Sequence, residues 1–273
     1  MIFTGESRYK NIMVEKKQNY SELDVIILMA GEGRRLQPLT NDRPKSLLVC
    51  DDGMSILEHI VRAFISKGIN ANIIPIIGHG RLKALEEIAK LSKIASFSCI
   101  SNPFYLKAGP LVSLWLGLMQ SKSKQVLVLN GDTIITGNLI AKVGQWLQLK
   151  RDDAKPSVGI CLTRTKDLNK DDMKVLVDDD GVFLKAGKDI LPGSSVLKSA
   201  GVFCIHNSCG KKLLKDKLDL LLLQDEPLKT NFYWHNILNE IKEAFFIDLI
   251  FVEADSWHEV DTEKDLILMN NKR

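Results

Sequence analysis

The chain lacks most of the features that assign a sequence at a glance. Its five cysteines, Cys50, Cys99, Cys161, Cys204 and Cys209, include no CxxC pair. An odd, scattered set without metal-ligand spacing argues against a cysteine-built metal site and fits small buried hydrophobes in a reducing cytoplasm. Charge of one sign is also scarce. Lys and Arg number 37 against 34 Asp and Glu, and the net +3 is too small to argue for nucleic acid or a membrane surface as partner. Apolar runs such as Val25 to Ala30 and Leu220 to Leu223 fall far short of a membrane span. The start, MIFTGESRYKNIMVEKKQNYSELD, has no apolar segment followed by small residues, so no secretory signal is expected. No internal repeat, low-complexity tract or clear linker divides the chain. Two well-known glycine loops are missing as well. Leu36 stands where GxGxxG needs its third glycine, and no GxxxxGK with a following Ser or Thr occurs.

What is present is concentrated between residues 25 and 47, VIILMAGEGRRLQPLTNDRPKSL. The apolar run Val25 to Met29 stops at Ala30-Gly31-Glu32-Gly33-Arg34-Arg35, and Lys45 follows behind Pro44. An apolar run ending in Gly-x-Gly reads as a buried strand that feeds a phosphate-holding loop. Glycine lets backbone amides approach an anion, and Arg and Lys neutralise a polyphosphate.

From Asp24 onward the pattern alternates. Strands are expected at Val25 to Met29, Ala71 to Ile77, Phe97 to Ile100 and Gln125 to Leu129. Helices are expected at Met54 to Lys67, Leu82 to Leu91, Leu111 to Met119 and Leu139 to Leu149, with Pro110 suited to a first turn. Strands alternating with helical stretches of this length predict βαβ units. The second half is richer in strands: Val158 to Thr163, Lys174 to Val177, Val182 to Leu184, Ala200 to Ile205, Phe245 to Val252 and Trp257 to Val260. Helices are expected near Lys211 to Leu222, at Tyr233 to Ile241 and from Thr262. The expected fold is α/β, a doubly wound, mostly parallel mixed sheet in one domain over residues 23–273. Residues 1–22 are polar and aperiodic, an extension that is either loose or an arm packing on a second copy in a homodimer.

Two acids sit at predicted strand ends. Asp132 closes Asn130-Gly131-Asp132, and Asp261 follows Trp257-His258-Glu259-Val260. Ligands bind outside the carboxyl ends of parallel strands, and one or two carboxylates with phosphate oxygens are the usual setting for Mg²⁺. As alternatives, Asn-Gly-Asp is good turn chemistry, and Asp261 suits a helix N-cap.

The set A-G-E-G-R-R-L, R-P-K-S-L, L-N-G-D and W-H-E-V-D resembles the signature of the nucleotidyltransferases that make nucleoside-diphosphate sugars and CDP-alcohols, across about Val25 to Leu268. The resemblance implies Mg²⁺ and a nucleoside triphosphate. It implies Arg35 and Lys45 as catalytic cations, Asp132 and Asp261 as metal ligands, and Ala30, Gly31, Glu32, Gly33, Asn102 and Ser113 around the nucleotide. Lys188 resembles the family lysine that contacts the acceptor phosphate. Asn102-Pro103-Phe104-Tyr105, the Ser113-Leu114-Trp115 helix start and Phe232-Tyr233-Trp234-His235 look more like the bacterial choline-phosphate cytidylyltransferases and their phosphonate-handling relatives. Gly109-Pro110 departs from that branch, which commonly has an asparagine there. The reaction so implied is CMP transfer from CTP to a small phosphorylated or phosphonate acceptor. Aromatic faces bind quaternary ammonium through cation–π contact, which makes Tyr105, Trp234 and Trp257 acceptor candidates, with Trp115 and Tyr233 beside them. Glu240 and Glu259 are acids that could face an ammonium group. The runner-up is a sugar-1-phosphate nucleotidyltransferase using UTP, dTTP or GTP. A third reading is a regulatory subunit that binds nucleotide without turnover.

Overall fold

The structure is a computed structural model and describes residues 23–149, 156–223 and 232–270. The expected extension, residues 1–22, lies outside the described residues. The central strand is β1 (Leu23–Met29), buried on both faces as its unbroken aliphatic run requires. It pairs in parallel with β2 (Ala71–Ile77) on one side and β5 (Gln125–Asn130) on the other. Alternate side chains enter two cores. Val25, Ile27 and Met29 face one, and Ile26 faces the other.

Helices α1 (Ile56–Ile65), α2 (Arg81–Leu91) and α4 (Gly137–Gln148) cover the first face. The stripe Ile56, Leu57, Ile60, Val61 and Phe64 of α1 is buried there, and Ser55 caps the helix by accepting from the Glu58 amide. Helices α3 (Pro110–Gln120), α5 (Ser208–Leu222) and α6 (Asn236–Ile241) cover the second face. Pro110 opens α3, where its missing N–H costs nothing.

The expected strand over Phe97 to Ile100 is two short strands, β3 (Ser96–Phe97) and β4 (Ile100–Ser101), both parallel to β2. Beyond β5 the sheet becomes mixed. β10 (Val196–Ile205) runs antiparallel between β5 and β7 (Ser157–Thr163), and β11 (Phe246–Phe251) lies parallel to β7. A flap of β8 (Lys174–Val177) and β9 (Phe183–Gly187) hangs on the start of β10. The order β11-β7-β10-β5-β1-β2-β3 makes one mixed α/β domain with a parallel centre. A separate antiparallel pair, β6 (Thr133–Ile135) with β12 (Trp257–Glu259), leads into α7 (Glu263–Asn270). No helix among the described residues is long and apolar enough to cross a membrane.

Candidate active site

The carboxyl ends of β1 and β5 open onto a cavity of about 380 Å³. The glycine loop leaves β1 and forms one wall with Ala30, Gly31, Gly33, Arg34 and Arg35. Gly33 is left-handed (φ 62°), and a Cβ there would stand 2.7 Å from Lys45 Cγ, so only glycine lets the lysine pass behind the loop. Thr40 Oγ1 donates to the Gly33 carbonyl at 2.9 Å and fixes the turn. Gly131 lies so close to β1 that a Cβ would meet Met29 Cβ at 2.6 Å, and this contact turns the chain sharply after β5.

That turn delivers Asp132. The chain then runs back as β6, whose Thr133 is paired with Glu259 of β12, and the Val260 amide donates to the Asp132 carbonyl at 2.9 Å. The last strand is thereby fastened to the end of β5, and Asp261 arrives beside Asp132. Thr262 and Asp265 satisfy the start of α7. Asp265 Oδ2 accepts from the amides of Asp261 and Thr262 and from the Thr262 hydroxyl. The capping role open to Asp261 is thus filled by its neighbours, and its carboxylate turns to the cavity.

Lys45 Nζ lies 3.0 Å from Asp132 Oδ2 and 2.5 Å from Asp261 Oδ1, and Arg35 Nη2 is 2.8 Å from the same Asp261 oxygen. Burial works against the Lys45 charge, but Asp132 and Asp261 more than offset it and hold the ammonium above its usual range. Burial likewise opposes the Asp261 charge, which Lys45, Arg35 and Lys188 keep below the carboxylate norm.

Glu259 joins the pair. Ligand atoms of Asp132, Glu259 and Asp261 all lie within 4.8 Å of one another. Burial first, and then the two aspartates, push the Glu259 carboxyl up to about 8, with Lys45 and Lys198 offsetting part of the rise. Asp132 Oδ1 is buried and has no hydrogen-bond partner among the described residues. An orphaned acceptor oxygen beside two further carboxylates, with no nitrogen or sulfur donor in the set, fits a hard divalent cation. The sequence left Glu259 aside as an acid that could meet an ammonium group. Strand alternation carried a signal for it, because Glu259 and Asp261 are two residues apart across the end of an extended segment.

The other expected residues separate into two groups. Asn102 and Ser113 line the cavity and bond to each other, Nδ2 to Oγ at 3.0 Å, while Asn102 Oδ1 accepts from the Phe104 amide. Tyr105 lines the same wall and packs against Gly78. Lys188 and Trp234 also line the cavity, with Asp171, Met173, Tyr233 and His235. Glu32 and Trp257 are not among the lining residues. Glu32 pairs with its neighbour Arg34 at 2.8 Å. The indole of Trp257 is buried and donates to Thr163 Oγ1 at 2.9 Å, a core role that takes it away from an acceptor. Trp234 is only 1% exposed, stacks on Phe203 and His235, and donates to Asn130 Oδ1 at 2.9 Å. Trp115 donates to Asp219 on α5, and Glu240 is exposed outside the cavity.

His235 was not singled out from sequence. It is buried, and Ser199 Oγ lies 2.8 Å from its Nε2. Burial, and then the nearby Lys188 charge, hold it neutral, well below the usual histidine range.

Comparison with known proteins bears on the family and the fold. A 2-aminoethylphosphonate cytidylyltransferase from Lancefieldella rimae is 22% identical over 252 residues, covering 92% of this chain and 93% of that one. The Bifunctional protein GlmU of Methanocaldococcus jannaschii is 23% identical over 232 residues; the match takes in 79% of this chain but only 51% of GlmU, so the chain spans about half of that relative's length. The solved CTP:phosphocholine cytidylyltransferase LicC from Streptococcus pneumoniae superposes with a TM-score of 0.70, covering 91% of this chain and 98% of that one, and at 20% identity the likeness is one of fold. The family profile described as Nucleotidyl transferase matches residues 24–170, more than half of the 273, and the chain therefore belongs to the nucleotidyl transferase family of enzymes.

Proposed function

We propose that the chain is a Mg²⁺-dependent cytidylyltransferase that moves CMP from CTP to a small phosphorylated or phosphonate acceptor and releases pyrophosphate. The observation that carries this reading is the convergence of Lys45, Arg35, Asp132 and Asp261 at the mouth of the glycine loop. The 2-aminoethylphosphonate cytidylyltransferase relative, matched over nearly its whole length, supports the choice of CTP and of a small acceptor.

In this account an acceptor oxygen attacks the α-phosphorus in line, the new P–O bond forms, and the bond to the pyrophosphate leaving group breaks. Phosphoryl chemistry of this kind asks for positioning and charge neutralisation more than covalent help. Asp132 and Asp261, with Glu259 beside them, would hold the cation. When bound, the cation would neutralise phosphate charge and polarise the phosphoryl group. Lys45 would neutralise the α-phosphate and stabilise charge in the transition state. Arg35 would hold the two phosphates that leave as pyrophosphate. Ala30, Gly31 and Gly33 leave room for the nucleotide, with Asn102 and Ser113 shaping the far side of its wall. Lys188 would neutralise the acceptor phosphate.

The test is pyrophosphate release with Mg²⁺, crossing CTP, UTP, dTTP, GTP and ATP against phosphocholine, 2-aminoethylphosphonate and other small phosphate esters, with glucose-1-phosphate included. Release confined to CTP supports the reading. Release with UTP, dTTP or GTP and a sugar phosphate overturns it in favour of a sugar-phosphate nucleotidyltransferase. Nucleotide binding without release in any combination would point to a regulatory subunit.

A further inference from the structure

Nucleotide binding at the glycine loop, the reading proposed above on which this step rests, makes the anchoring of that loop a functional matter. The anchor is His79, which stands just past the end of β2 and is not among the residues lining the cavity. Its amide donates to the Ala30 carbonyl at 2.9 Å, where the glycine loop leaves β1. Its side chain reaches the far end of the same loop, with Nε2 2.7 Å from the Thr40 carbonyl oxygen. A carbonyl only accepts, so Nε2 carries the proton and donates. The next residue, Gly80, lets the chain after Thr40 lie directly on this turn: a Cβ there would stand 2.5 Å from Arg43 Cα. One histidine thereby ties both ends of the loop to the end of β2.

Thr40 passes this hold on. It is fully buried, and its hydroxyl donates to the Gly33 carbonyl at 2.9 Å. The same carbonyl accepts from the Leu36 amide at 2.9 Å, so both of its lone pairs are taken. The Gly33–Arg34 peptide is trans, so its N–H points away from its carbonyl and hence away from Thr40. Orientation matters because an anion is bound by N–H groups and repelled by carbonyl oxygens. A peptide beside a left-handed glycine turns over at small steric cost. Turned over, it would put an oxygen where the N–H now stands. Thr40 Oγ1 and the Leu36 amide oppose that turn, and the first of these is anchored to β2 through His79.

We propose that His79 is a positioning residue for the triphosphate: through Thr40 it holds the Gly33–Arg34 peptide with its N–H available to phosphate oxygens. A loop set before binding loses less conformational freedom when the ligand arrives, so the effect is read as affinity for the nucleotide. His79, Thr40 and Gly33 act as one unit, and breaking either link releases the same peptide.

The experiment measures by calorimetry the Kd of whichever of CTP, UTP, dTTP, GTP and ATP the wild-type protein binds, with the thermal unfolding midpoint and the acceptor KM recorded alongside. His79→Leu should weaken nucleotide binding about tenfold and leave the acceptor KM unchanged. His79→Gln, whose amide nitrogen can stand at the Nε2 position, should recover most of that loss. Thr40→Val, an isostere without the hydroxyl, should weaken binding to a similar degree, and Thr40→Ser should not. The double variant of His79→Leu with Thr40→Val should bind about as weakly as either single one, a non-additivity that a general loss of stability would not produce. An unchanged Kd in a folded His79→Leu or Thr40→Val protein overturns the inference and leaves the transfer reaction intact. Losses that multiply in the double variant also overturn it, because they would show two independent effects. A wild-type protein that binds no nucleoside triphosphate overturns the underlying reading instead. If His79→Leu fails to fold, the contrast between Thr40→Val and Thr40→Ser decides the same question.

Discussion

On the cavity wall that follows β1, the groups facing the substrate site are small residues and cations: Ala30, Gly31, Gly33, Arg34, Arg35 and Lys45. On the wall carried by β9 and the approach to α6, they are larger side chains: Lys188, Tyr233, Trp234 and His235. The first wall is drawn from one stretch of sixteen residues, and its shape follows from where glycine is required. The second is assembled from segments far apart in sequence, and its shape follows from packing: Trp234 against Phe203, His235 against Ser199. A wall of the first kind suits a constant ligand such as a triphosphate. A wall of the second kind can change its preference with single side chains while the transfer chemistry stays where it is.

The largest effects are expected between the two walls, where the acids lie. Asp132→Asn should lower turnover on the order of a thousandfold and remove its Mg²⁺ dependence, since it takes away several kcal/mol of charge stabilisation. Ordinary Mg²⁺ titration in that variant would take Asp132 out of the metal site. On the first wall, Lys45→Ala should cut kcat about a hundredfold with the thermal unfolding curve still cooperative. An unchanged rate would leave Lys45 as no more than a partner for the two aspartates.

Gly33→Ala tests whether the first wall depends on backbone. A side chain at φ 62° is strained and would press on Lys45 Cγ at 2.7 Å. A stability loss of roughly 1–2 kcal/mol by denaturant titration, with a matching fall in kcat, is expected.

The second wall has a pH signature of its own. Below pH 6.5 the unfolded chain takes up a proton on His235 that the folded chain refuses, because burial and Lys188 hold the ring neutral. This contribution to stability is complete above 6.5 and is lost as pH falls below it, at no more than about 1.4 kcal/mol per pH unit. Unfolding midpoints for wild type and His235→Asn between pH 7 and 5 should diverge in favour of the variant; parallel curves would show that the histidine is not held neutral. The smallest effect belongs to Trp257→Phe. Loss of the Thr163 hydrogen bond should cost about 1 kcal/mol of stability and leave the acceptor KM unchanged. A raised KM would return Trp257 to the acceptor site.

The same contrast explains what could be read from sequence. The parallel centre was legible because β1, β2 and β5 are dominated by aliphatic residues and the intervening helices carry clear stripes. Lys45, Asp132 and Asp261 were legible through their spacing from a glycine loop or a strand end. β6 was hidden because Thr133–Ile135 is three residues long and follows a sequence that reads equally well as a turn. Without β6, nothing in the sequence pairs Glu259 with Thr133, and the third acid stays unplaced. Trp257 misdirected the reading of the acceptor side, because an indole near a site segment says nothing about whether it reaches the cavity. His235 escaped notice because its burial and its Ser199 partner are set by a distant strand.

The most direct test of the account is a crystal structure with CTP and Mn²⁺ in place of Mg²⁺, read by anomalous scattering. The account predicts a metal peak between Asp132 and Asp261, with Lys45 Nζ released from both carboxylates and turned to the α-phosphate. A metal bound elsewhere, or Lys45 still held between Asp132 and Asp261 with nucleotide present, would contradict it.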